Sequence, residues 1–419
     1  MHRLIETLYP IGRSLTGPGV RDTLRILQEH IPLTVREVPS GTPVFDWTVP
    51  DEWTLRDAYI KDADGHRLVD VRASNLHVVG YSTPVHRWMT RAELEPHLHT
   101  LPDRPAWIPY RTSYYQRTWG FCLAHEQYER LGTGPFEVCV DATLAPGALT
   151  YGECVLPGAL EDEVLLSCHV CHPSLCNDNL SGIALATFLA CTLAAQPEQR
   201  YTYRFLFLPG TIGSITWLAQ NEATAPRIAH GLVVANVGDP GPMTYKRSRR
   251  GDAPIDRAVE HVLAHRNAPH RVTDFIPYGY DERQYGSPGF NLPVGSLTRT
   301  PFGQYPEYHT SADDLDFVTP DALADSLAAY RAVVDVLEHN RVYVTQNPMC
   351  EPQLGRRGLY DAIGGDSQAK ARQMTMLWLL NLCDGTRSLL DVAERAGLPF
   401  DRVRRVADVL AAHDLLAEA

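Results

Sequence analysis

From Glu163 onward one pattern recurs along the chain: a short unbroken apolar run, a break rich in Gly, Pro, Ser or Asn, then a longer stretch with its apolar residues on one face. "EVLLSCH", "YRFLFLPG", "GLVVANVGD" and "LPVGSLTRT" are the short runs and predict strands buried on both faces. "NLSGIALATFLACTLAAQ", "SITWLAQNEATA" and "PIDRAVEHVLAHR" lie between them and predict helices, the first entered through a Ser/Gly turn. "DLDFVTPDALADSLAAYRAVVDVLEHN" closes the stretch with a long helix. Apolar strands alternating with helices predict an α/β domain whose sheet is covered on both faces. Such sheets carry their chemistry in the loops at C-terminal strand ends, where His169, Gly210 and Asp239 fall.

The pattern differs on either side. "HRLIETLYPIGRSLTGPGVRDTLRILQEHIP" predicts two amphipathic helices around a Gly/Pro turn at Leu15 to Val20, with Val20, Leu24, Ile26 and Leu27 on roughly one face. From Val38 to about Leu149, short alternating runs such as "RLVDVRASNLHVVGY" sit between turn residues and predict a β-rich module. After "NPMCEPQLGRRGLYDAIGG", a loop-like stretch, the runs "KARQMTMLWLLNLCDG", "SLLDVAERAGLP" and "FDRVRRVADVLAAHDLLAEA" predict three helices of a helix-turn-helix or winged-helix module. The division expected is an α/β domain from 1–45 and 150–345, an inserted β-rich module at 46–149, and a winged-helix-like module at 346–419. A chain of 419 residues is long enough for several cores.

Composition narrows the classes of function. With 44% hydrophobic and 21% charged residues the balance is that of a globular protein. The net charge of −12 and the lack of a long basic run argue against nucleic acid or an anionic membrane as partner. Arg402, Arg404 and Arg405 could touch phosphate, but Asp391, Glu394, Asp401 and Asp408 surround them in sequence, so docking or dimerisation is the role expected of that module. No stretch reaches the roughly 18 apolar residues of a membrane span. "MHRLIETLYPIGRSLTG" carries Glu6 and no unbroken apolar run, which predicts a cytoplasmic protein, and the nine cysteines are then expected to be mostly reduced core thiols.

"SCHVCHPSLCNDNLSG", Ser167 to Gly182, concentrates Cys168, His169, Cys171, His172, Cys176 and Asp178. Cys168 to His172 matches the C-x-x-C-H pattern of covalent haem attachment, which requires export. A structural thiolate zinc site needs a second CxxC-like pair, and none exists. The remaining reading uses nitrogen and oxygen ligands. A His at a strand end followed by Asn-Asp-Asn-x-Ser-Gly, with "PEYHTSADDLDFV" ahead of a long helix, resembles the two motifs of the dinuclear-zinc aminopeptidase superfamily, in the same order.

The resemblance is closer to one branch, the aminopeptidase-like proteins associated with polysaccharide and antibiotic biosynthesis. "GRSLTGPGVRDTL", "VPDEWTLRDAYI", "SCHVCHPSLCNDNLSG", "DERQYGSPGFNLPVGSLTRTPFGQYPEYHTSADDLDFV" and "EPQLGRRGLYDAIGG" carry it, spread over essentially the whole chain. It implies a zinc-aminopeptidase-like three-layer α/β/α sandwich with a small inserted β-rich module and a C-terminal winged helix. It implies zinc held by His169 or His172, Asp178, Asp239 and His309, and a Gly182 that lets its helix approach the sheet closely. Superfamily peptidases carry Glu-Glu after the second strand, the first as general base and the second as a ligand. Here Gly210 and Thr211 stand there, and His-x-Asp is His169-Val170-Cys171. One zinc is therefore expected, with two as the alternative. Glu282 and Glu307, and also Asp281, are candidates for a relocated base. Arg283, Tyr285, Arg299 and Tyr308, within a wider cluster of Tyr and Arg, are candidates for binding a polar organic substrate.

The reading is a zinc-dependent hydrolase acting on an amide bond of a small amino-acid- or sugar-derived metabolite, with a small-molecule substrate, no membrane partner, and a homo-oligomer admitted. Two alternatives stand beside it: a degenerate member that binds metal and ligand without cutting, and a regulator that reports a ligand through the winged helix. If Gly210 marks only a lost base, Gly210→Glu is expected to restore turnover.

Overall fold

The computed structural model describes residues 1–359 and 367–419. Eight strands form its main sheet: β1 (Thr34–Pro39), β2 (Ala148–Leu156), β3 (Glu163–His169), β4 (Thr202–Leu208), β5 (Ile228–Val234), β6 (Met243–Lys246), β7 (His270–Thr273) and β8 (Val294–Thr298). Their order is β1-β2-β4-β3-β5-β8-β6-β7. β3 pairs in parallel with β4 and β5, and β5 with β8, while β1, β2 and β6 join antiparallel. Every residue of β3 is buried, which explains its unbroken apolar run: a central parallel strand has no solvent face.

Four helices position the site: α1 (His2–Leu8), α2 (Pro18–Gln28), α3 (Gly182–Ala194) and α4 (Ile212–Gln220). α2 opens with Pro at its first turn and buries Val20, Leu24 and Leu27, the stripe its spacing predicts. Arg21 of α2 bonds Glu37 on β1, which also receives the Thr150 hydroxyl of β2. Trp217 of α4 donates instead to Glu153 of β2. Positions 150 and 153 lie an odd number apart on one strand, so they face opposite ways, and α2 and α4 cover opposite faces. α3 lies with α2, since His30 at the end of α2 packs on Phe188 at 6.4 Å. The result is the three-layer α/β/α sandwich expected.

Residues between β1 and β2 build a second, antiparallel sheet, ordered Arg67–Asp70, Glu52–Lys61, Phe136–Ala145, Val85–Met89. Its core runs into that of the main sheet: Ile60, Phe121 and Val138 belong to the same buried cluster as Leu165 and Leu206. Its segment 108–111 reaches the candidate site, where Ser311 N–H donates to Ile108 O at 2.8 Å and Tyr110 N–H to His309 O at 2.8 Å.

Contact clustering divides the chain into two compact units, one of 1–253 with 271–327, the other of 254–270 with 328–419. The second contains a three-stranded sheet, ordered Asp384–Ser388, Val342–Thr345, Leu416–Glu418, and helices Ser367–Leu382, Leu389–Ala396 and Phe400–Ala411. Ser388 and Asp391 cap the middle helix reciprocally, and left-handed Gly397 ends it. The last helix stops earlier than its apolar spacing predicts. Asp414 turns left-handed, and Leu416–Glu418 pairs with Val342–Thr345 instead. Arg404 and Arg405 pair with Asp401, and Arg402 donates to Thr375, all within this unit. The stretch "YDAIGG" of the sequence motif lies outside the described residues. Among the described residues no helix is long and apolar enough to cross a membrane.

Candidate metal centre

Strand β3 ends at His169, fully buried. The chain then turns through His172 and an irregular segment, Cys176–Ser181, in which Asp178 and Asn179 leave helical geometry before α3 begins. This turn sends the Asp178 carboxylate back to the strand end: Oδ1 lies 2.8 Å from His169 Nε2, and Oδ2 lies 3.0 Å from His309 Nε2 and 3.9 Å from His172 Nε2. Gly182 makes the turn possible, because a Cβ there would stand 2.4 Å from Val234 O of β5. His309 sits in the left-handed region at φ 55°, an uncommon conformation for a side chain-bearing residue, pinned by Tyr110 N–H and by the Tyr308 ring stacked 3.9 Å away.

Burial alone would raise the Asp178 carboxyl, but the hydrogen bonds to His169 and His309 hold it well below the ordinary carboxylate range. Burial pushes the His172 imidazole down to about 3, so near neutrality it is uncharged and has a lone pair to offer. Donors bound to one tetrahedral ion at about 2.0–2.1 Å stand roughly 3.3 Å apart. The two histidines near Oδ2, His309 at 3.0 Å and His172 at 3.9 Å, bracket that spacing, while His169 lies 2.8 Å from the other oxygen, Oδ1. His169, His172 and Asp178 form a compact set of potential ligands, with His309 on the same carboxylate. Imidazole and carboxylate donors in such a set suit zinc. No cysteine belongs to that set among the described residues, and burial raises Cys168, Cys171 and Cys176, Cys171 to about 12.

Other residues named from the sequence stand elsewhere. Asp239, expected as a ligand, is buried beside the site, but both its oxygens are occupied. They accept from Asn177 Nδ2 at 3.1 Å, Thr300 N–H at 3.1 Å, Thr300 Oγ1 at 2.6 Å and Gly241 N–H at 2.8 Å. It braces the loop that carries Asp178. Glu282, a candidate base, is fully buried on Lys246 and the Tyr280 N–H. Tyr285 is a core residue whose hydroxyl meets Ser167 at 2.8 Å, and Arg299 is buried on Asp325 at 2.8 Å; neither faces the histidines as a substrate-binding group would. Arg283 is half-buried and lies in the short helix Glu282–Tyr285. Glu307 is half-buried two residues before His309, and its carboxylate has no hydrogen-bond partner among the described residues. Tyr308 does border the cluster, as does Tyr110, edge-on to His309 at 5.0 Å.

Position 210 is not simply vacant. A Cβ built there would lie 1.9 Å from Tyr280 Cε1 and 2.6 Å from its hydroxyl. The Tyr280 ring fills the space beside the strand end, 4.0 Å from the His169 ring, and its hydroxyl donates to Gly210 O at 3.3 Å. Gly210→Glu, expected to restore some turnover, would first have to displace the Tyr280 ring.

Two further residues were not singled out by sequence reasoning. Asp313 accepts from Asn177 N–H at 2.5 Å and Asp178 N–H at 3.0 Å, clamping the loop of the first motif to the second. Its signal was the Asp of "HTSAD". Arg13 is a buried cation that donates to His172 O at 3.0 Å and Leu8 O at 2.8 Å. Its signal was "GRSLTGPGVRDTL", a motif the metal reading left unused.

Comparison with known proteins agrees with this architecture. Residues 2–340 match a family described as a domain of unknown function (DUF4910), and 341–418 match a winged helix-turn-helix. The chain is 51% identical over 416 residues to a Clostridium acetobutylicum protein described as a polysaccharide biosynthesis protein with an aminopeptidase-like domain, covering 99% of this chain and 95% of that one. A crystal structure from C. acetobutylicum, described as a peptidase, superposes with a TM-score of 0.95 at 50% identity, covering 100% of this chain and 96% of that one. A zinc aminopeptidase from Bacillus subtilis shares the fold at 12% identity and a TM-score of 0.56, over 79% of this chain and 93% of its own. The chain thus belongs to the DUF4910 family, an aminopeptidase-like fold followed in sequence by a winged helix-turn-helix.

Proposed function

We propose that this chain is a zinc-dependent, hydrolase-like protein that acts on an amide bond of a small amino-acid- or sugar-derived metabolite in the cytoplasm. The observation that carries the reading is one buried carboxylate, Asp178, shared by His169 and His309 with His172 beside it. These four side chains would hold one zinc, which supplies Lewis acidity toward a bound carbonyl. Tyr110 and Tyr308 wall the approach to the histidines and exclude water from a bound substrate. Glu307, without a side-chain partner among the described residues, is the candidate to take the proton of an attacking water. The division into an α/β domain (1–45 and 150–345), an insert (46–149) and a winged-helix module (346–419) belongs to the same proposal.

A second reading is a ligand-binding member that does not cut. It is favoured by Tyr280, which occupies the position of the family's usual base. Metal analysis of the purified protein, followed by amide hydrolysis on aminoacyl and acylamino-sugar substrates, separates the two. One equivalent of zinc with chelator-sensitive turnover, reduced in Glu307→Gln, supports the first reading. One equivalent of zinc with no turnover supports the second. A chain that takes up no zinc, or a His309→Ala variant with full occupancy, overturns the metal assignment common to both.

A further inference from the structure

One cavity stands beside the metal centre and outside the metal reading. It measures about 320 Å³ and lies over the face of β6 and β8. Thr244 pairs with Thr298 across these strands, and Lys246 with Ser296. Residues two apart on a strand share a face, so these four polar side chains make one patch. Antiparallel strands toward the edge of a sheet can present such a polar face, and here it opens on the cavity. Lys246 is neutralised by Glu282, and the Thr298 hydroxyl reaches Thr244 O at 3.4 Å. The hydroxyls of Thr244 and Ser296 make no hydrogen bond to any described residue, although both residues are at least 96% buried. Both residues line the cavity, so their hydroxyls are left for whatever occupies it to pair.

The walls add a second kind of chemistry. Phe302 lines the inner side, and its ring lies 6.4 Å from that of His169, so cavity and metal centre share a wall. Tyr278, 64% exposed, stands at the mouth with Arg271, a surface cation that has no ion-pair partner among the described residues. An apolar side chain placed here would leave both hydroxyls unpaired. An ammonium group would face Arg271. A hydroxyl-rich ring satisfies every wall: its hydroxyls pair with Thr244 and Ser296, its C–H face lies on an aromatic ring, and a further hydroxyl or an acidic substituent meets Arg271.

We propose that this cavity binds a sugar ring. That the ring is part of the substrate rests on the functional reading above, but the binding itself needs neither metal nor turnover. The test is saturation-transfer NMR on the full chain, stripped of metal by chelator, with methyl glucoside, N-acetylglucosamine and glucuronate as probes and leucine amide as control. At least one sugar should give a saturable signal, weakened tenfold or more in Thr244→Val/Ser296→Ala. Arg271→Ala, a surface change, should weaken glucuronate more than methyl glucoside if the acidic form is the better ligand. Melting curves and zinc uptake like those of the wild type certify that the variants fold. No sugar signal, a signal unchanged in the double variant, or leucine amide displacing the sugar overturns the proposal. A chain that binds no zinc but still binds sugar would sink the metal reading and leave this one standing.

Discussion

Substituting Gly210 probes whether Tyr280 has taken over the space of the missing carboxylate. A Cβ at this position would stand 1.9 Å from Tyr280 Cε1. Carbon atoms in van der Waals contact keep roughly 3.5–4.0 Å, so the ring must withdraw by about 1.6 Å or more. It is hemmed in by His169 at 4.0 Å on one side and by Phe302 at 5.7 Å on another. Forced overpacking of this kind costs about 1–3 kcal/mol. Gly210→Ala should therefore lower stability by that amount, and removing the ring should relieve it. The assay is a double-mutant cycle in urea with Gly210→Ala, Tyr280→Ala and the pair. The expected interaction term is about 1–3 kcal/mol in favour of the pair. Gly210→Glu alone should add no turnover to that of the wild type, and Gly210→Glu/Tyr280→Gly is the variant with room for a second base. Additive stabilities, or a Gly210→Ala variant within about 0.5 kcal/mol of the wild type, would refute the reasoning.

Three more outcomes follow from the site. Replacing Cys168, Cys171 and Cys176 together by Ala should leave zinc stoichiometry intact, since none belongs to the ligand set; loss of zinc from a folded variant would revive a thiolate site. Asp313→Ala should weaken metal binding about 10- to 100-fold, measured by chelator competition, because the loop carrying Asp178 loses its clamp. Asp281 is fully buried on Ser214 with one oxygen unpartnered, and burial raises its carboxyl from 3.8 to about 7. The unfolded chain ionises it above about pH 4 while the folded chain keeps the proton, so this group erodes wild-type stability as pH rises from about 4 to 7, by a few kcal/mol at ~1.4 kcal/mol per pH unit. Asp281→Asn should thus gain on the wild type in urea unfolding between pH 5 and pH 8; a constant difference would contradict the shift.

The alternation of strands and helices was legible because parallel strands buried on both faces leave unbroken apolar runs. The sandwich and the winged helix followed from that texture together with motifs spread along the chain. What could not be read was the partner of each polar group. Asp239 ends a strand like a ligand, but Asn177 and Thr300, far away in sequence, take up its lone pairs. Glu282 looked like a spare carboxylate because Lys246, 36 residues earlier, is invisible to local spacing. Tyr285 and Tyr280 sit in one "YDERQY" stretch, yet one is core and the other lines the site, since the short helix between them turns them apart. The last helix was overextended because Leu415 and Leu416 continue an apolar pattern that a strand can use equally well.

The clamp between Asp313 and the Asp178 loop has a consequence for the order of events during synthesis. Asp178 and His309 are separated by 131 residues. At 5–20 residues per second, roughly 7–26 s pass between the emergence of the first motif and that of the second. During that interval the ribosome-bound chain carries His169, His172 and three thiols with neither His309 nor Asp313 to organise them. The nascent segment is then a soft, sulfur-rich chelator, and only the fold clamped by Asp313 buries the thiols and presents imidazole and carboxylate instead. A zinc ion held as proposed would find its nitrogen and oxygen ligands only after His309 has emerged, and until then the thiols of the first motif stay open to oxidation.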